Sequence, residues 1–286
     1  MEKRKIYVVT GPTASGKSDF AVTIALRVSG EIVSVDSRQM YQNLDIGSGK
    51  ITKEDMKGIP HHMLSLYDVR DEMVSVSRFV ERALVCIEHI YAKGKVPILC
   101  GGTGMYLDAL LYEKKFPEVE PNKTLRKELE KLSTLDLSLQ LKEKDIRRYN
   151  TIDTQNKARL IRALEICEAL GTVPAESVGE VRFDATIYLI EINKPLLNEK
   201  IKVRLEKRLE AGMVNEVVEL LANGVSAEKL ISLGLEYKYI TLFILGTIDE
   251  QTMKKEILQK SIQYAKRQMT WNKKYVLRAE IVKVEK

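Results

Sequence analysis

Hydrophobic positions in the first 112 residues fall in short runs separated by amphipathic stretches. KIYVVT, EIVSVD and KVPILCGG are rich in Val and Ile, which predicts strands at 5–10, 31–36 and 95–102 of a parallel sheet buried on both faces. GKSDFAVTIALRVSG and SVSRFVERALVCIEHIYAKG carry apolar residues at helical spacing and predict helices at 16–30 and 75–94. From about Glu113 to Glu180 the pattern is helical and strongly charged, with one apparent turn at Tyr149–Thr154. DATIYLIEI then returns to strand, and Leu196–Asn223 is helical with Gly212 between two halves. A helix around Glu250–Lys273 and a strand, AEIVKV, close the chain. The expected fold class is α/β, a parallel sheet flanked by helices. Residues 1–112 and 181–286 would form the core, and 113–180 a helical insertion subdomain.

Composition narrows the class without changing the picture. The chain has 286 residues, 44% hydrophobic and 30% charged, which is globular and excludes disordered, collagen-like and miniprotein architectures. No apolar run reaches the roughly 18 residues of a membrane helix, and MEKRKIYVVTGPT has no cleavable apolar stretch. A soluble cytoplasmic protein, with no membrane partner, is expected. Cys86, Cys100 and Cys167 stand far apart without the CxxC spacing of a zinc site and read as buried free thiols.

Charge is uneven along the chain. The net charge is +6, yet Lys254–Lys286 alone holds ten Lys/Arg against three Asp/Glu. Such a tail suits a polyanion such as RNA, and equally a solvated helix face. The insertion adds thirteen basic against nine acidic residues up to Arg162.

The chemistry begins directly after the first strand. Gly11-Pro12-Thr13-Ala14-Ser15-Gly16-Lys17-Ser18 is a complete GxxxxGK[ST] phosphate loop in a strand–loop–helix context, so the fold is expected to be P-loop NTPase-like. Its backbone N–H groups and the helix N-terminus would hold a diphosphate or triphosphate, Lys17 would neutralise charge, and the Ser18 hydroxyl could ligate Mg²⁺. An NTP-driven machine also needs an acid at the end of a second apolar strand. VPILCGG ends in Cys100 and glycines instead. The acid placed at the sheet's carboxyl edge is Asp36, which could bind magnesium through water, act as a general base, or cap a helix. Ser37, Gln39 and Tyr41 are of the kind that read a base. Gly101-Gly102-Thr103-Gly104 brings a second pliant backbone and a hydroxyl to the same edge.

With these residues in view, the chain resembles bacterial tRNA dimethylallyltransferases, also called tRNA isopentenyltransferases. TGPTASGKS, VDSRQMYQNLDIGSGK, GIPHHML, PILCGGTGMYLDALL, RLIRALEI and AKRQMTW stand in that family's order over nearly the whole chain. The resemblance implies transfer of a dimethylallyl group from dimethylallyl diphosphate to N6 of adenosine 37, next to the tRNA anticodon, with Mg²⁺ and without ATP. It also implies roles. Asp36 looks like the base toward the N6 amine, and Thr103 like the donor to the bridging oxygen. Ser37, Arg38 and Gln39 look like acceptor contacts, and Arg204 resembles a diphosphate contact. Arg126, Arg159 and Arg162 resemble contacts to tRNA, the insertion gripping the anticodon stem-loop. Lys266, Arg267, Lys273 and Lys274 are candidates for the RNA backbone, and Trp271 for packing rather than stacking. The chain is expected to act as a monomer.

His61-His62 falls in the family's PHH segment and, without a third ligand at suitable spacing, reads as structural. Departures from the pattern are a short insertion with RRYNTIDTQNKAR in place of a DP-containing segment, GLEYKY where many members have GYKE, and Asn272 in place of an aromatic. The competing readings are a prenyltransferase of free adenine nucleotides, a small-molecule kinase, and a non-catalytic RNA-binding module.

Overall fold

The computed structural model of the chain describes residues 3–71, 73–114, 116–175 and 179–284. Two compact units emerge, one of Met1–Tyr112 with Val181–Lys286 and one of Glu113–Glu180. None of the described helices is long and apolar enough to cross a membrane.

In the larger unit, β1 (Lys5–Thr10), β2 (Gly30–Ser34), β3 (His61–His62), β4 (Val96–Cys100), β5 (Asp184–Ile192) and β6 (Ala279–Val284) form one sheet in the order β3-β2-β4-β1-β5-β6. Every pairing is parallel, with Val8 opposite Leu99 on one side and Ile187 on the other. Side chains alternate between faces, so both must be covered. Val9, Ile32 and Ile98 pack with Ala21, Val22 and Ala25 of α1 (Lys17–Val28). Val8, Val33 and Leu99 turn the other way, toward Phe79, Ala83 and Ile87 of α2 (Val76–Ala92) and Leu107 and Leu110 of α3 (Gly104–Leu111). That second face extends over α8 (Lys194–Glu210), α9 (Met213–Ala222), α10 (Ala227–Leu233), α11 (Leu235–Ile244) and α12 (Glu250–Asn272). A 3-10 turn, Lys273–Arg278, leads into β6.

Several expectations change in detail. The second strand ends at Ser34, where the Val35 N–H donates to the Cys100 carbonyl at 2.8 Å as the last bond of the ladder to β4, and Asp36 lies in the loop beyond. MYLDALL, which hydrophobic spacing did not mark as a helix, is α3: it is buried nearly all round, so it shows no amphipathic period. α10 and α11 also escaped the periodicity, being short segments split at Gly234. His61 and His62 form the edge strand β3, with His62 Nε2 2.7 Å from Glu31 and His61 Nδ1 2.8 Å from the Ile59 carbonyl. The cysteines are free, but only Cys167 is fully buried; Cys86 and Cys100 are partly exposed.

The smaller unit contains α4 (Lys123–Leu129), α5 (Thr134–Lys144), α6 (Ile146–Tyr149) and α7 (Lys157–Leu170) around Leu137, Leu141, Leu160 and Leu164. The break expected near 149–154 separates α6 from α7, and two more occur where Ser133 and Asp145 accept N–H groups and start new helices. Arg126 Nε and Nη2 donate to buried Glu165 at 2.7 and 2.8 Å. Burial would raise the Glu165 carboxyl, but these bonds outweigh it and hold it below the usual range. Arg162 Nη2 donates to the Val119 carbonyl at 2.8 Å, while Arg159 is exposed.

Candidate active site

Three loops meet at the carboxyl edge of β1, β2 and β4, where an open parallel sheet holds its ligands. The first is the phosphate loop. Gly11 is indispensable on two counts: its φ is +155°, and a Cβ would sit 2.9 Å from the Ile190 carbonyl oxygen. Ser15 Oγ is buried and has no hydrogen-bond partner among the described residues. Lys17 Nζ donates to the Pro12 carbonyl at 2.6 Å. Burial, followed by the charge of Arg204, holds that ammonium down to about 8, despite opposition from Cys100 and Asp36. Arg204 Nη1 reaches Thr13 Oγ1 at 3.2 Å, and burial, then the charge of Arg208, lowers its guanidinium to about 10. Cationic groups strained in this way gain from an anion, which is the ligand a phosphate loop is shaped for.

The second loop carries Asp36. Its Oδ1 accepts from the N–H of Arg38 at 2.8 Å and of Gln39 at 3.4 Å, which fixes the carboxylate by a turn rather than as the cap of a helix. Among the described residues no hydrogen bond engages Oδ2. Gln39 is committed within the protein: its Oε1 accepts from Ser34 Oγ at 3.0 Å and its Nε2 donates to the Gly49 carbonyl at 3.2 Å. Tyr41 is buried, with its hydroxyl on the Val74 N–H, and is not available to a base.

The third loop is Gly101–Gly104. A Cβ on Gly101 would fall on the Val35 carbonyl, so only glycine lets the second and third loops touch. Thr103 Oγ1 accepts weakly from the Ser37 N–H at 3.4 Å and also meets the hydroxyl of Tyr264. Burial pushes that phenol up to about 12, so it stays protonated.

Helix α12 locks the loops together. Gln268, buried, accepts from the Thr13 N–H at 2.7 Å and donates to the Gly102 carbonyl at 3.0 Å, so one amide spans the first and third loops. Asn272, one turn on, accepts from Thr10 Oγ1 at 3.2 Å. Trp271 covers Gly104 under the Lys274 ammonium, which lies 4.1 Å above its ring. Lys274 is exposed like Lys266, Arg267 and Lys273, but its ammonium pairs with the buried Asp108.

Two cavities open between these elements. The smaller, of about 90 Å³, is lined by Lys17, Ser18, Asp36, Gln39, Cys100 and Tyr264; burial pushes the Cys100 thiol up to about 11, leaving it neutral. The larger, of about 260 Å³, is lined by Ser37, Arg38, Arg208, Glu236 and Arg267 and shares Thr13, Asp36, Arg204 and Tyr264 with the smaller. Asp36 therefore faces both compartments. No group of three His, Cys, Asp or Glu able to hold a metal exists among the described residues. A magnesium ion here would combine Ser18, and Asp36 through water, with oxygens of a diphosphate, the donor set magnesium takes in phosphate sites.

Gln268, Tyr264, Arg208 and Glu236 were not foreseen. Tyr264 and Gln268 stand four residues apart, so they share the face of α12 turned to the site, a spacing visible in YAKRQ. Glu216 had no sequence signal, yet it accepts from the N–H groups of Asp45, Ile46 and Gly47 at 3.0, 2.6 and 3.0 Å and from the Tyr237 hydroxyl at 2.9 Å.

A family model described as IPP transferase matches residues 39–275. A tRNA dimethylallyltransferase of an Exiguobacterium species is 38% identical over 275 residues, covering 95% of this chain and 88% of that protein. One from Caldanaerobacter subterraneus is 38% identical over 282 residues, covering 95% and 89%. The crystal structure of tRNA delta(2)-isopentenylpyrophosphate transferase from Staphylococcus epidermidis superposes with a TM-score of 0.70 at 32% identity, over 98% of this chain and 93% of that one. A eukaryotic dimethylallyltransferase acting on tRNA shares the fold, with a TM-score of 0.82 at 24% identity over 98% and 74% of the two chains.

Proposed function

The chain belongs to the tRNA dimethylallyltransferase family, and from that premise we propose that it transfers the dimethylallyl group of dimethylallyl diphosphate to N6 of adenosine 37 of tRNA and releases diphosphate. The observation that carries the reading is the position of Asp36, with one carboxylate oxygen fixed by the backbone and the other uncommitted, facing both the phosphate-loop cavity and the larger one.

The diphosphate group would lie on the N–H groups of Gly11–Ser18, against Lys17 and Arg204. Magnesium, bound through Ser18 and the diphosphate, would offset the negative charge of the leaving group. As the allylic C–O bond breaks, its electrons pass to the departing diphosphate. Lys17, Arg204 and the Thr103 hydroxyl, which lies beside Tyr264, stabilise that charge. The N6 lone pair forms the new N–C bond. That amine is a poor nucleophile while its lone pair is delocalised into the ring, and Oδ2 of Asp36 takes the proton it must lose. Ser37 and Arg38 border the acceptor side of the cavity and would contact the adenosine, while Gln39 acts by holding the Asp36 turn.

RNA is held through its phosphates. Arg159, Lys266, Arg267 and Lys273 are exposed and available to it. Arg126 and Arg162 brace α7 through Glu165, and the insertion they stabilise would grip the anticodon stem. Acting on tRNA, the enzyme would work in the cytoplasm.

The test is incubation with unmodified tRNA, dimethylallyl diphosphate and Mg²⁺, followed by nucleoside mass spectrometry, with free AMP as competing acceptor. N6-dimethylallyladenosine should form in the tRNA and not in AMP, without ATP. Prenylated AMP with unmodified tRNA would move the assignment to the nucleotide enzymes.

A further inference from the structure

The larger cavity holds a charged pair, Arg208 and Glu236, to which the transfer reaction gives no role. Arg204 and Arg208, four residues apart on α8, converge so closely on Gly49 that a methyl group there would overlap Nη2 of both. Two like charges side by side in a partly buried place repel. Glu236, at the start of α11, is the carboxylate that faces them: its Oε1 lies 3.3 Å from Arg208 Nη1, with side-chain exposures of 14% and 16%. Burial raises its carboxyl above the usual range even though both arginines favour ionisation. The backbone that delivers it is strained, since Leu235 has a φ of +44° directly after Gly234 at +76°. A branched side chain in the left-handed region is sterically costly, so this turn is held in place by its surroundings. Glu236 thus presents carboxylate oxygens to a guanidinium in a cavity that also contains Thr13 of the phosphate loop.

We propose that Glu236 is an internal counter-ion that competes with the diphosphate group for Arg208, weakening donor binding and hastening release of the diphosphate product. The inference rests on the reading of the phosphate-loop cavity as the diphosphate site: Arg204 lines both cavities, and Gly49, on which Arg208 converges with it, lines the smaller one. In the free protein the carboxylate makes the close guanidinium pair tolerable; once a diphosphate arrives, with more charge and more oxygens, Glu236 becomes a rival ligand. Affinity should rise as pH falls and Glu236 takes up a proton. Asp36 and Arg38 from the loop after β2, Tyr264 and Arg267 from α12, and Tyr237 beside it on α11 face the same space. These groups are common to the wild type and a Glu236 variant, as is protonation of the ligand, so the difference between the two proteins isolates Glu236.

The experiment is titration calorimetry of inorganic diphosphate with Mg²⁺ into wild type, Glu236→Gln and Glu236→Asp at pH 7.5 and 6. Glu236→Gln should bind about five- to tenfold more tightly at pH 7.5, the equivalent of one weakened charge pair. Glu236→Asp should remain near wild type, and the extra gain on acidification should vanish in Glu236→Gln. If Glu236→Gln does not fold, Glu236→Ala makes the same comparison. Equal or weaker binding by a folded, charge-free variant overturns the counter-ion role while leaving the diphosphate site standing. Failure of wild type and variants alike to bind diphosphate overturns the site and the proposal together.

Discussion

Replacing Lys17 by Met should stabilise the ligand-free protein while abolishing its response to diphosphate. The ammonium is held down to about 8 from 10.5. At 1.36 kcal/mol per pH unit, the native fold at neutral pH carries a cost of about 3 kcal/mol for keeping it charged. The group borders a cavity, so solvent screening reduces this to about 2 kcal/mol. Met keeps the stem packed but leaves the Pro12 carbonyl, now bonded at 2.6 Å, without its donor, which returns about 1 kcal/mol. The net expectation is a gain of about 1 kcal/mol, or about 2 °C in a chain of this length. The pH dependence carries the sign. Between about 8 and 10.5 the unfolded chain binds more protons at Lys17 than the native one, so wild-type stability rises with pH through that window relative to Lys17→Met. Below about 8 the difference between the two proteins is constant. Thermal and urea unfolding at pH 7, 8.5 and 10, with and without Mg²⁺-diphosphate, tests all of this. Ligand at a hundred times its Kd should stabilise wild type by about 2.7 kcal/mol and the variant hardly at all. A variant less stable than wild type at pH 7, or one with the same pH slope and ligand response, would refute the reasoning.

Other substitutions probe the remaining parts. Asp36→Ala should lower turnover by about two to four orders of magnitude with tRNA affinity nearly unchanged, as single-turnover kinetics beside filter binding would establish. Gln268→Leu removes both bonds between the first and third loops and should reduce turnover more than it changes tRNA binding; a wild-type rate would mean that the loops hold their places unaided. Gly101→Ala drives a methyl group onto the Val35 carbonyl and should destabilise the fold by about 3 kcal/mol, measured by urea unfolding. Charge reversal at Lys266, Arg267 and Lys273 should weaken tRNA binding and flatten its salt dependence by about one counterion per lost phosphate contact. Lys274 is excluded from that set because its reversal would expel the buried Asp108 pairing instead.

The sheet and the phosphate loop were legible along the chain because both are local. Short runs rich in Val and Ile in KIYVVT and VPILC, and glycines spaced for converging N–H groups, need no knowledge of the rest of the molecule. The bonds that fix Oδ1 of Asp36 are also local, made by a turn within four residues. What escaped was either uniformly buried, like α3, whose apolar residues show no face, or made by residues far apart in sequence. Gln268 becomes the link between two loops only because α12 returns over the sheet, and an amide reads the same whether it meets water or two backbone groups. Arg126 illustrates the converse: sequence presents it as a cation for RNA, whereas packing first engages it with Glu165. The pKa of Lys17, the pairing of Arg208 with Glu236 and that of Lys274 with Asp108 were likewise decided by tertiary structure. Desolvation and Coulomb interactions depend on distances through space, which the order of residues along the chain does not specify.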